Sequence, residues 1–134
     1  SRIRSKDTKP EEIVRKYLFA QGFRYRKNDN RLLGKPDIVL PKYKTVIFVN
    51  GCFWHGHEGC PYFVWPEKNA GFWRKKISGN MMRDLHNHSV LQEQGWYVID
   101  IWECQLKKEK CAGTLAELNK ELKDRLQNLQ RQSS

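Results

Sequence analysis

Three short apolar runs constrain the fold of this chain more than any other feature of its sequence. They are PDIVL at 36–40, KTVIFV at 44–49 and WYVIDIW at 96–102, and all of them contain β-branched residues. Runs of this length and composition are typical of β-strands that are buried in a sheet. The first two runs are joined through PKYK at 41–44, a spacing that predicts a hairpin.

Signals for a helix and a further strand precede these runs. Thr8 and Glu11 form a capping-box pattern with Pro10 in the first turn, which predicts a helix over about 9–21. The segment FRYRK at 23–27 then alternates apolar and basic residues. Such alternation predicts a half-buried strand.

Helical patterns also lie on both sides of the last apolar run. The segments 69–77 and 79–95 each predict a helix, with Asn80 capping the second one. Thr114 begins another capping-box pattern, and leucines at helical spacing follow it. The order of these elements predicts a single domain over 1–134, an α/β or α+β sandwich in which helices cover both faces of the sheet.

The charge of the chain points to a polyanionic partner. Lysine and arginine outnumber aspartate and glutamate by 25 to 15, and the resulting net charge of +10 favours nucleic acid over an anionic membrane surface. Arg2, Arg4 and Lys6, in a basic N-terminal arm at 1–7, are expected to bind phosphate. No apolar run approaches the ~18 residues of a spanning helix, so we expect a cytoplasmic protein without a membrane partner. The tail at 130–134 is expected to be frayed.

A loop rich in cysteine and histidine predicts a metal site. Cys52, His57 and Cys60 supply two thiolates and an imidazole, and Cys104 follows a strand that we expect to lie beside them. Thiolate and imidazole ligands favour zinc, and a set of three cysteines and one histidine fills a closed tetrahedral structural site. Cys111 is the competing fourth ligand. The non-metal interpretation is that these cysteines are small buried hydrophobic residues.

Two acidic residues and the second histidine of that loop are candidates for catalysis. Asp37 opens a strand after a turn, where a carboxylate can hold Mg²⁺ together with backbone carbonyls and water. Glu11 is the candidate second carboxylate; the alternative interpretations are a turn residue at Asp37 and a helix-capping residue at Glu11. Spacing does not decide whether His55 or His57 is the zinc ligand.

Aromatic residues interleaved with basic residues lie in the metal loop and after it. They are Phe53, Trp54, Trp65, Phe72 and Trp73, among Lys68, Arg74, Lys75 and Lys76. Aromatic side chains beside a basic rim stack on bases or wedge between base pairs. Core packing is the alternative, although the glycine-flanked loop favours exposure of Trp54.

Together these segments resemble the very short patch repair (Vsr) DNA mismatch endonucleases, a variant of the PD-(D/E)XK restriction-endonuclease-like fold. The resemblance runs nearly end to end, through IRSKDTKPE, GKPDIVLPKYKTVIFVNGCFWHGHEGC, FWRKKISGNMMRD and LQEQGWYVIDIWEC. It implies an α/β fold with a mixed central sheet, helices on both faces and a structural Zn²⁺ site. It also implies a Mg²⁺-dependent endonuclease that nicks one strand of duplex DNA at a T:G mismatch.

The resemblance implies a role for each candidate residue. Asp37 would be the central Mg²⁺-binding carboxylate, with Glu11 acting through water and Val49 through its backbone carbonyl. His55 would be the catalytic histidine. The Zn²⁺ ligands would be Cys52, His57, Cys60 and Cys104, and the aromatic residues inserted into the duplex would be Phe53, Trp54 and Trp73, with Lys75 and Lys76 on the basic rim.

This chain departs from the family pattern at several points. Family members commonly have Thr-His before the Gly-Cys, where this chain has valine followed by Asn50. Asparagine cannot serve as a general base, so Asn50 is expected to orient water or phosphate or to ligate Mg²⁺. The acidic-x-Lys motif after Asp37 is missing, and the spacing from His57 to Cys60 is one residue longer, which Gly59 can absorb.

We therefore expect a monomeric endonuclease that acts on T:G-mismatched duplex DNA, with mismatch-repair proteins as further partners. Two alternatives stay open at this point. One is a catalytically weakened or inactive zinc-containing protein that binds mismatches, which Asn50 favours. The other is a zinc-stabilised structural or RNA-binding protein.

Overall fold

The computed structural model describes residues 8–132. The predicted basic arm with Arg2, Arg4 and Lys6 lies outside the described residues, as do residues 133 and 134. The helices and strands in chain order are α1 Lys9–Ala20, β1 Arg26–Lys27, β2 Ile38–Leu40, β3 Thr45–Asn50, α2 Ala70–Glu93, β4 Tyr97–Trp102 and α3 Lys108–Gln132. The 3-10 helices Pro41–Tyr43 and Glu103–Leu106 follow β2 and β4.

The strands within residues 8–132 form one mixed sheet in the order β1-β2-β3-β4. β1 pairs antiparallel with β2, and β2 and β3 form the predicted antiparallel hairpin. β4 runs parallel to β3, with Phe48 opposite Asp100 and Asn50 opposite Trp102. A parallel return needs a long crossover connection, and α2 lies in it. β1 is shorter than the strand predicted at 23–27.

Helices cover both faces of the sheet. On one face, α1 and α3 pack on alternate strand residues, and the buried set includes Val14, Leu18, Ile38, Leu40, Ile47, Val49, Ile99, Ile101, Leu115, Leu118 and Leu122. On the other face, Leu91 of α2 packs with Val39, Val46 and Phe48. The predicted α/β architecture is confirmed. Because side chains alternate along a strand, Asn50 and Asp100 lie on the α2 face with Phe48.

α2 is one continuous helix of 24 residues rather than the two helices predicted. The prediction that Asn80 caps a helix is wrong, since Asn80 lies inside α2 and its side-chain amide donates to the carbonyl of Trp54 at 2.9 Å. A single glycine such as Gly79 disfavours a helix by only ~1 kcal/mol, and burial of Ile77 and Leu91 on either side outweighs it. No helix within residues 8–132 is long and apolar enough to cross a membrane.

α3 begins at Lys108, well before the start predicted at Thr114. Thr114 lies inside the helix and donates its hydroxyl to the carbonyl of Gln105 at 2.8 Å, which ties α3 to the preceding 3-10 helix. Cys111, predicted in a connector, lies in α3 and packs against the apolar core. α3 also continues through Gln132, so the tail predicted to fray is helical as far as the described residues extend.

Candidate active site and metal centre

An open cleft of about 580 Å³ lies between the start of α1, the end of β3 and the middle of α2. The residues with acid, base or amide groups that line it include Glu11, Asp37, Asn50, His55, Asp84, Asn87, His88 and Glu103. The four residues predicted to be catalytic, Asp37, His55, Glu11 and Asn50, are thus brought together.

Asp37 stands immediately before β2, and its carboxylate reaches across to β3. Its Oδ2 accepts a hydrogen bond of 2.7 Å from the backbone N–H of Val49. The N–H and C=O of one strand residue point to the same side of the strand, so the Val49 carbonyl faces the Asp37 side as well. Burial raises the pKa of Asp37 to about 7; the Val49 hydrogen bond opposes this rise and the nearby Glu11 carboxylate adds to it.

Glu11 reaches the cleft from the first turn of α1. Thr8 caps this helix as predicted, because its hydroxyl oxygen accepts from the backbone N–H of Glu11 at 3.4 Å. The Glu11 carboxylate accepts from the Thr8 hydroxyl at 3.2 Å and lies 3.4 Å from a guanidinium nitrogen of Arg15. These contacts fix a buried second carboxylate near Asp37, and paired carboxylates are suited to a hard divalent cation.

His55 pairs with Asp84 of α2. The distance from His55 Nδ1 to Asp84 Oδ2 is 2.7 Å, and both side chains keep about a third of their surface exposed, 33% and 31%. A carboxylate at Nδ1 favours the tautomer with a proton on that nitrogen, which leaves Nε2 able to accept a proton. The pair therefore has the composition of a general base and the group that orients it.

Gly56 separates the two histidines of the loop 51–60. It has a φ of +64°, and a Cβ at this position would lie 2.5 Å from Sδ of Met81. Only glycine allows the loop to lie this close to α2. His55 on one side of Gly56 lines the cleft, whereas His57 on the other joins the cysteines. Gly59, before Cys60, has a φ of +86° with open space around it.

One cluster is formed by the sulfur atoms of Cys52, Cys60 and Cys104 and a ring nitrogen of His57. The ligand atoms all lie within 4.8 Å of one another, which fits donors placed ~2.0–2.3 Å from a single tetrahedral metal ion. Cys104 Sγ and His57 Nδ1 are 3.5 Å apart. Cys111 lies outside this cluster, in the apolar core.

The residues around the cluster hold its ligand atoms in position. The backbone N–H of Cys104 donates to Cys52 Sγ at 3.4 Å, and the ring of His57 stacks on Trp102 with centroids 4.0 Å apart. Burial raises the pKa of the Cys52 thiol to about 12. A thiolate at Cys52 therefore needs a bound cation, and metal binding would release protons. The cluster fits a metal centre better than a group of inert buried cysteines.

Phe53, Trp54 and Trp73 form one aromatic cluster beside the cleft. The ring centroids are 5.2 Å apart for Phe53 and Trp54, 5.4 Å for Phe53 and Trp73, and 5.8 Å for Trp54 and Trp73. All three side chains are half-buried, and Lys75 and Lys76 are exposed on the next turn of α2. An aromatic surface with adjacent lysines is suited to stacking on nucleic-acid bases.

Known proteins match this chain over most of its length. Residues 1–61 match the family model described as DNA mismatch endonuclease Vsr. The chain is 55% identical to the type II nicking enzyme V.NmeAIP of Neisseria meningitidis serogroup A, over 92% of this chain and 88% of that protein. The chain belongs to the Vsr family.

Two further relatives also match most of this chain. The type II nicking enzyme V.XorIIP of Xanthomonas oryzae pv. oryzae is 43% identical over 78% of this chain and 76% of that protein. The DNA mismatch endonuclease Vsr of Escherichia coli (strain K12) is 43% identical over 78% of this chain and 67% of that protein. As a Vsr-family protein, this chain is a DNA endonuclease that nicks DNA, which disfavours the structural or RNA-binding interpretation.

Sequence reasoning missed three polar residues at the site. Asp84 and His88 line the cleft, and Asp100 lines the adjoining pocket with them. Asp84 and His88 are four residues apart on α2 and therefore lie on the same side of the helix. That spacing is an available signal for one polar face of the helix. Asp100 is an acidic residue within an otherwise apolar strand, which is also a usable signal because a carboxylate in such a position needs a partner.

Proposed function

We propose that this protein is a Mg²⁺-dependent, strand-specific endonuclease that nicks duplex DNA at T:G mismatches in very short patch repair. The observation that carries the proposal is the cleft in which Asp37 and Glu11 lie together with the His55–Asp84 pair. The E. coli relative is named a DNA mismatch endonuclease, which supports a mismatch as the substrate.

The oxygen donors of the cleft fit a hard divalent cation. Asp37, Glu11 and the backbone carbonyl of Val49 would hold Mg²⁺, with water completing its shell. Burial and the neighbouring Glu11 carboxylate raise the pKa of Asp37, so a cation bound beside it would stabilise its ionised form. When bound, Mg²⁺ stabilises negative charge on the phosphate and lowers the pKa of water beside it.

The chain's own residues carry the proton transfer. Asp84 holds His55 so that Nε2 takes a proton from the attacking water. The water oxygen bonds to phosphorus as the bond from phosphorus to the 3′ oxygen breaks, and the leaving 3′ oxygen takes a proton from solvent, which yields a 5′ phosphate and a 3′ hydroxyl. Asn50 orients water or phosphate at this step, since its amide has both a donor and an acceptor end.

The cysteine and histidine cluster is assigned to a structural Zn²⁺. Cys52, His57, Cys60 and Cys104 supply four ligands, so no position is left for water or substrate. An ion there would tie the loop 51–60 to the end of β4. It would thereby hold His55, two residues before His57, in its place beside the cleft.

The aromatic cluster is assigned to the mismatch. Phe53, Trp54 and Trp73 would enter the duplex where stacking is already weak, which lowers the cost of opening it. The basic residues assigned to phosphate contacts are Lys75, Lys76, Arg2, Arg4 and Lys6. We propose that the protein acts as a monomer in the cytoplasm, alongside mismatch-repair proteins.

A nicking assay on two otherwise identical duplexes tests the proposal. One duplex carries a T:G pair and the other a T:A pair, and each strand is end-labelled in turn. With Mg²⁺ we expect a nick in the T strand of the T:G duplex, slower cutting of the T:A duplex, and no cutting when Mg²⁺ is left out. No chelator is used, so that zinc is retained.

Each of two outcomes would contradict a different part of the proposal. Equal nicking of both duplexes would exclude mismatch specificity. Nicking that persists at the wild-type rate in the Asp37→Ala variant would exclude the assigned metal site.

A further inference from the structure

Asp100 bridges two cleft residues that come from different elements. Its Oδ1 accepts a hydrogen bond of 3.0 Å from Nδ2 of the Asn50 side chain at the end of β3. Its Oδ2 lies 3.4 Å from Nδ1 of His88 on α2. The bridge connects α2 to β3 through β4 and adjoins the His55–Asp84 pair, with which it lines one pocket.

The register of the sheet brings these side chains together. Asp100 lies opposite Phe48 in the parallel β3–β4 ladder, and Asn50 follows Phe48 by two residues, so all three project from the α2 face. His88 packs its ring on Phe48, with centroids 4.8 Å apart. Asn50 is only 6% exposed, so its amide is confined in this position.

The carboxylate of Asp100 decides which end of the Asn50 amide faces it. An ionised carboxylate only accepts hydrogen bonds, so the NH₂ group of Asn50 points to Asp100 and Oδ1 points away. Within residues 8–132, no donor pairs with Oδ1 of Asn50. The group that Asn50 presents to the cleft is therefore a hydrogen-bond acceptor.

We infer that Asp100 is a positioning residue that holds Asn50 with its carbonyl oxygen toward the attacking water, while Nδ1 of His88 lies beside the second oxygen of Asp100. This inference rests on the proposed nicking reaction and narrows the part that Asn50 takes in it. An acceptor aligns the O–H of a water molecule, whereas it repels the non-bridging oxygens of a phosphate. Asn50 therefore orients water and does not bind phosphate.

Exchanging the two side chains tests this orientation. In Asn50→Asp, two carboxylates face each other and the arrangement is disfavoured. In the double variant Asn50→Asp, Asp100→Asn, the new amide donates to the new carboxylate, whose other oxygen still faces the cleft as an acceptor. We expect kcat to fall about tenfold or more in Asn50→Asp, as for loss of a hydrogen bond to a charged group, and to recover to within about threefold of wild type in the double variant. A double variant as slow as Asn50→Asp would overturn the inference.

KM and thermal stability separate positioning from a purely structural role. We expect KM for the mismatched duplex and the melting temperature of the double variant to match those of wild type. Asp124→Asn, on the exposed part of α3, is the matched control and should change nothing. The inference is overturned if Asn50→Asp raises KM and leaves kcat unchanged, or if unfolding fully explains its loss in kcat.

A readout without substrate separates this inference from the proposed function. In ¹⁵N-labelled wild-type protein, without DNA or Mg²⁺, we expect one side-chain amide proton of Asn50 to exchange slowly with water, and Asp100→Ala to remove that protection. Equal exchange in both proteins would overturn the inference. Nicking without preference for T:G would instead contradict the proposed function and leave this test intact, because rates are compared on whichever duplex is cut.

Discussion

The carboxylate of Asp84 lies 2.7 Å from Nδ1 of His55, although the two residues are 29 positions apart in the chain. Asp84 belongs to α2 and His55 to the loop 51–60, and they meet because Gly56 lets the loop lie against Met81 of that helix. The contact selects the tautomer and the direction of the imidazole, which neither residue achieves alone. It is therefore the relationship on which proton transfer in this cleft depends.

Replacing Asp84 with asparagine should slow nicking. Asp84→Asn keeps the shape of the side chain but removes the charge that stabilises a protonated His55, and its amide can favour the wrong tautomer. We expect kcat to fall about 100-fold with little change in KM, within the range of ~10²–10⁴ for general base catalysis. Single-turnover nicking of the mismatched duplex measures the rate of the chemical step, with Asp124→Asn as the exposed control. A rate close to that of wild type would remove Asp84 from the mechanism.

The sheet was predictable because its buried strands consist of short runs of apolar residues. Every residue of β3 is buried, and the run that forms it is almost entirely apolar. The boundaries of α2 and α3 were not predictable, because the signals at Asn80 and Thr114 are local and weak. Packing of Ile77 and Leu91 against the rest of the protein carries α2 through Gly79, a tertiary effect that a capping pattern does not report.

Site residues were predictable where their neighbours in the chain explain them. Cys52 and Cys60 lie near a histidine in one glycine-rich loop, and Cys104 could be added because its strand was expected beside β3. Asp84 and Asp100 could not be assigned to the site in this way. Each becomes meaningful only when folding places it against a partner from another element.

The raised pKa of Asp37 predicts how stability depends on pH in the absence of Mg²⁺. The pKa is about 7 in the folded protein against an ordinary value of 3.8, so the folded state binds more protons than the unfolded state between these values. The free energy of unfolding therefore falls as pH rises from about 4 to about 7. Asp37→Asn should lack this loss, which is on the order of 2–4 kcal/mol.

Urea denaturation of zinc-loaded wild type and Asp37→Asn, at pH about 4.5 and about 8, measures this difference. Other titrating groups are shared by the two proteins and cancel in the comparison. Adding Mg²⁺ at the higher pH should stabilise wild type and leave Asp37→Asn unchanged. A wild type that gains stability relative to the variant as pH rises would contradict the prediction.

Metal content should distinguish Cys104 from Cys111. Cys104→Ser removes one ligand of the proposed zinc site, whereas Cys111→Ser changes a side chain that packs in the core away from the cluster. We expect about one Zn²⁺ per chain in wild type and in Cys111→Ser, and little in Cys104→Ser. Loss of about 2–3 kcal/mol would lower the melting temperature of Cys104→Ser by about 10 °C or more. Elemental analysis measures the zinc content and calorimetry measures the melting temperature. Full zinc in Cys104→Ser would exclude the assigned ligand set.

Removing a ring from the aromatic cluster should weaken binding to mismatched DNA. Trp54→Ala removes a half-buried indole that contacts both Phe53 and Trp73. Loss of about 1–3 kcal/mol of stacking on a base corresponds to an increase in Kd of about 5- to 150-fold. Phe19→Ala, at an aromatic residue of α1 that is 68% exposed, is the control and should bind like wild type. Fluorescence anisotropy without Mg²⁺ measures Kd, and equal effects of the two substitutions would argue against a wedge.

Two glycine substitutions should have opposite effects on stability. Gly56→Ala is strained at a φ of +64° and drives a Cβ against Met81, so we expect a loss of about 1–3 kcal/mol. Gly79→Ala adds a methyl group in open space within α2 and should gain about 1 kcal/mol. Gly56→Ala should also lower kcat at temperatures where it stays folded, because a displaced loop separates His55 from Asp84. Denaturation curves and nicking rates measure these effects, and a Gly56→Ala protein with the wild-type rate would show that the loop's approach to α2 does not set the position of His55.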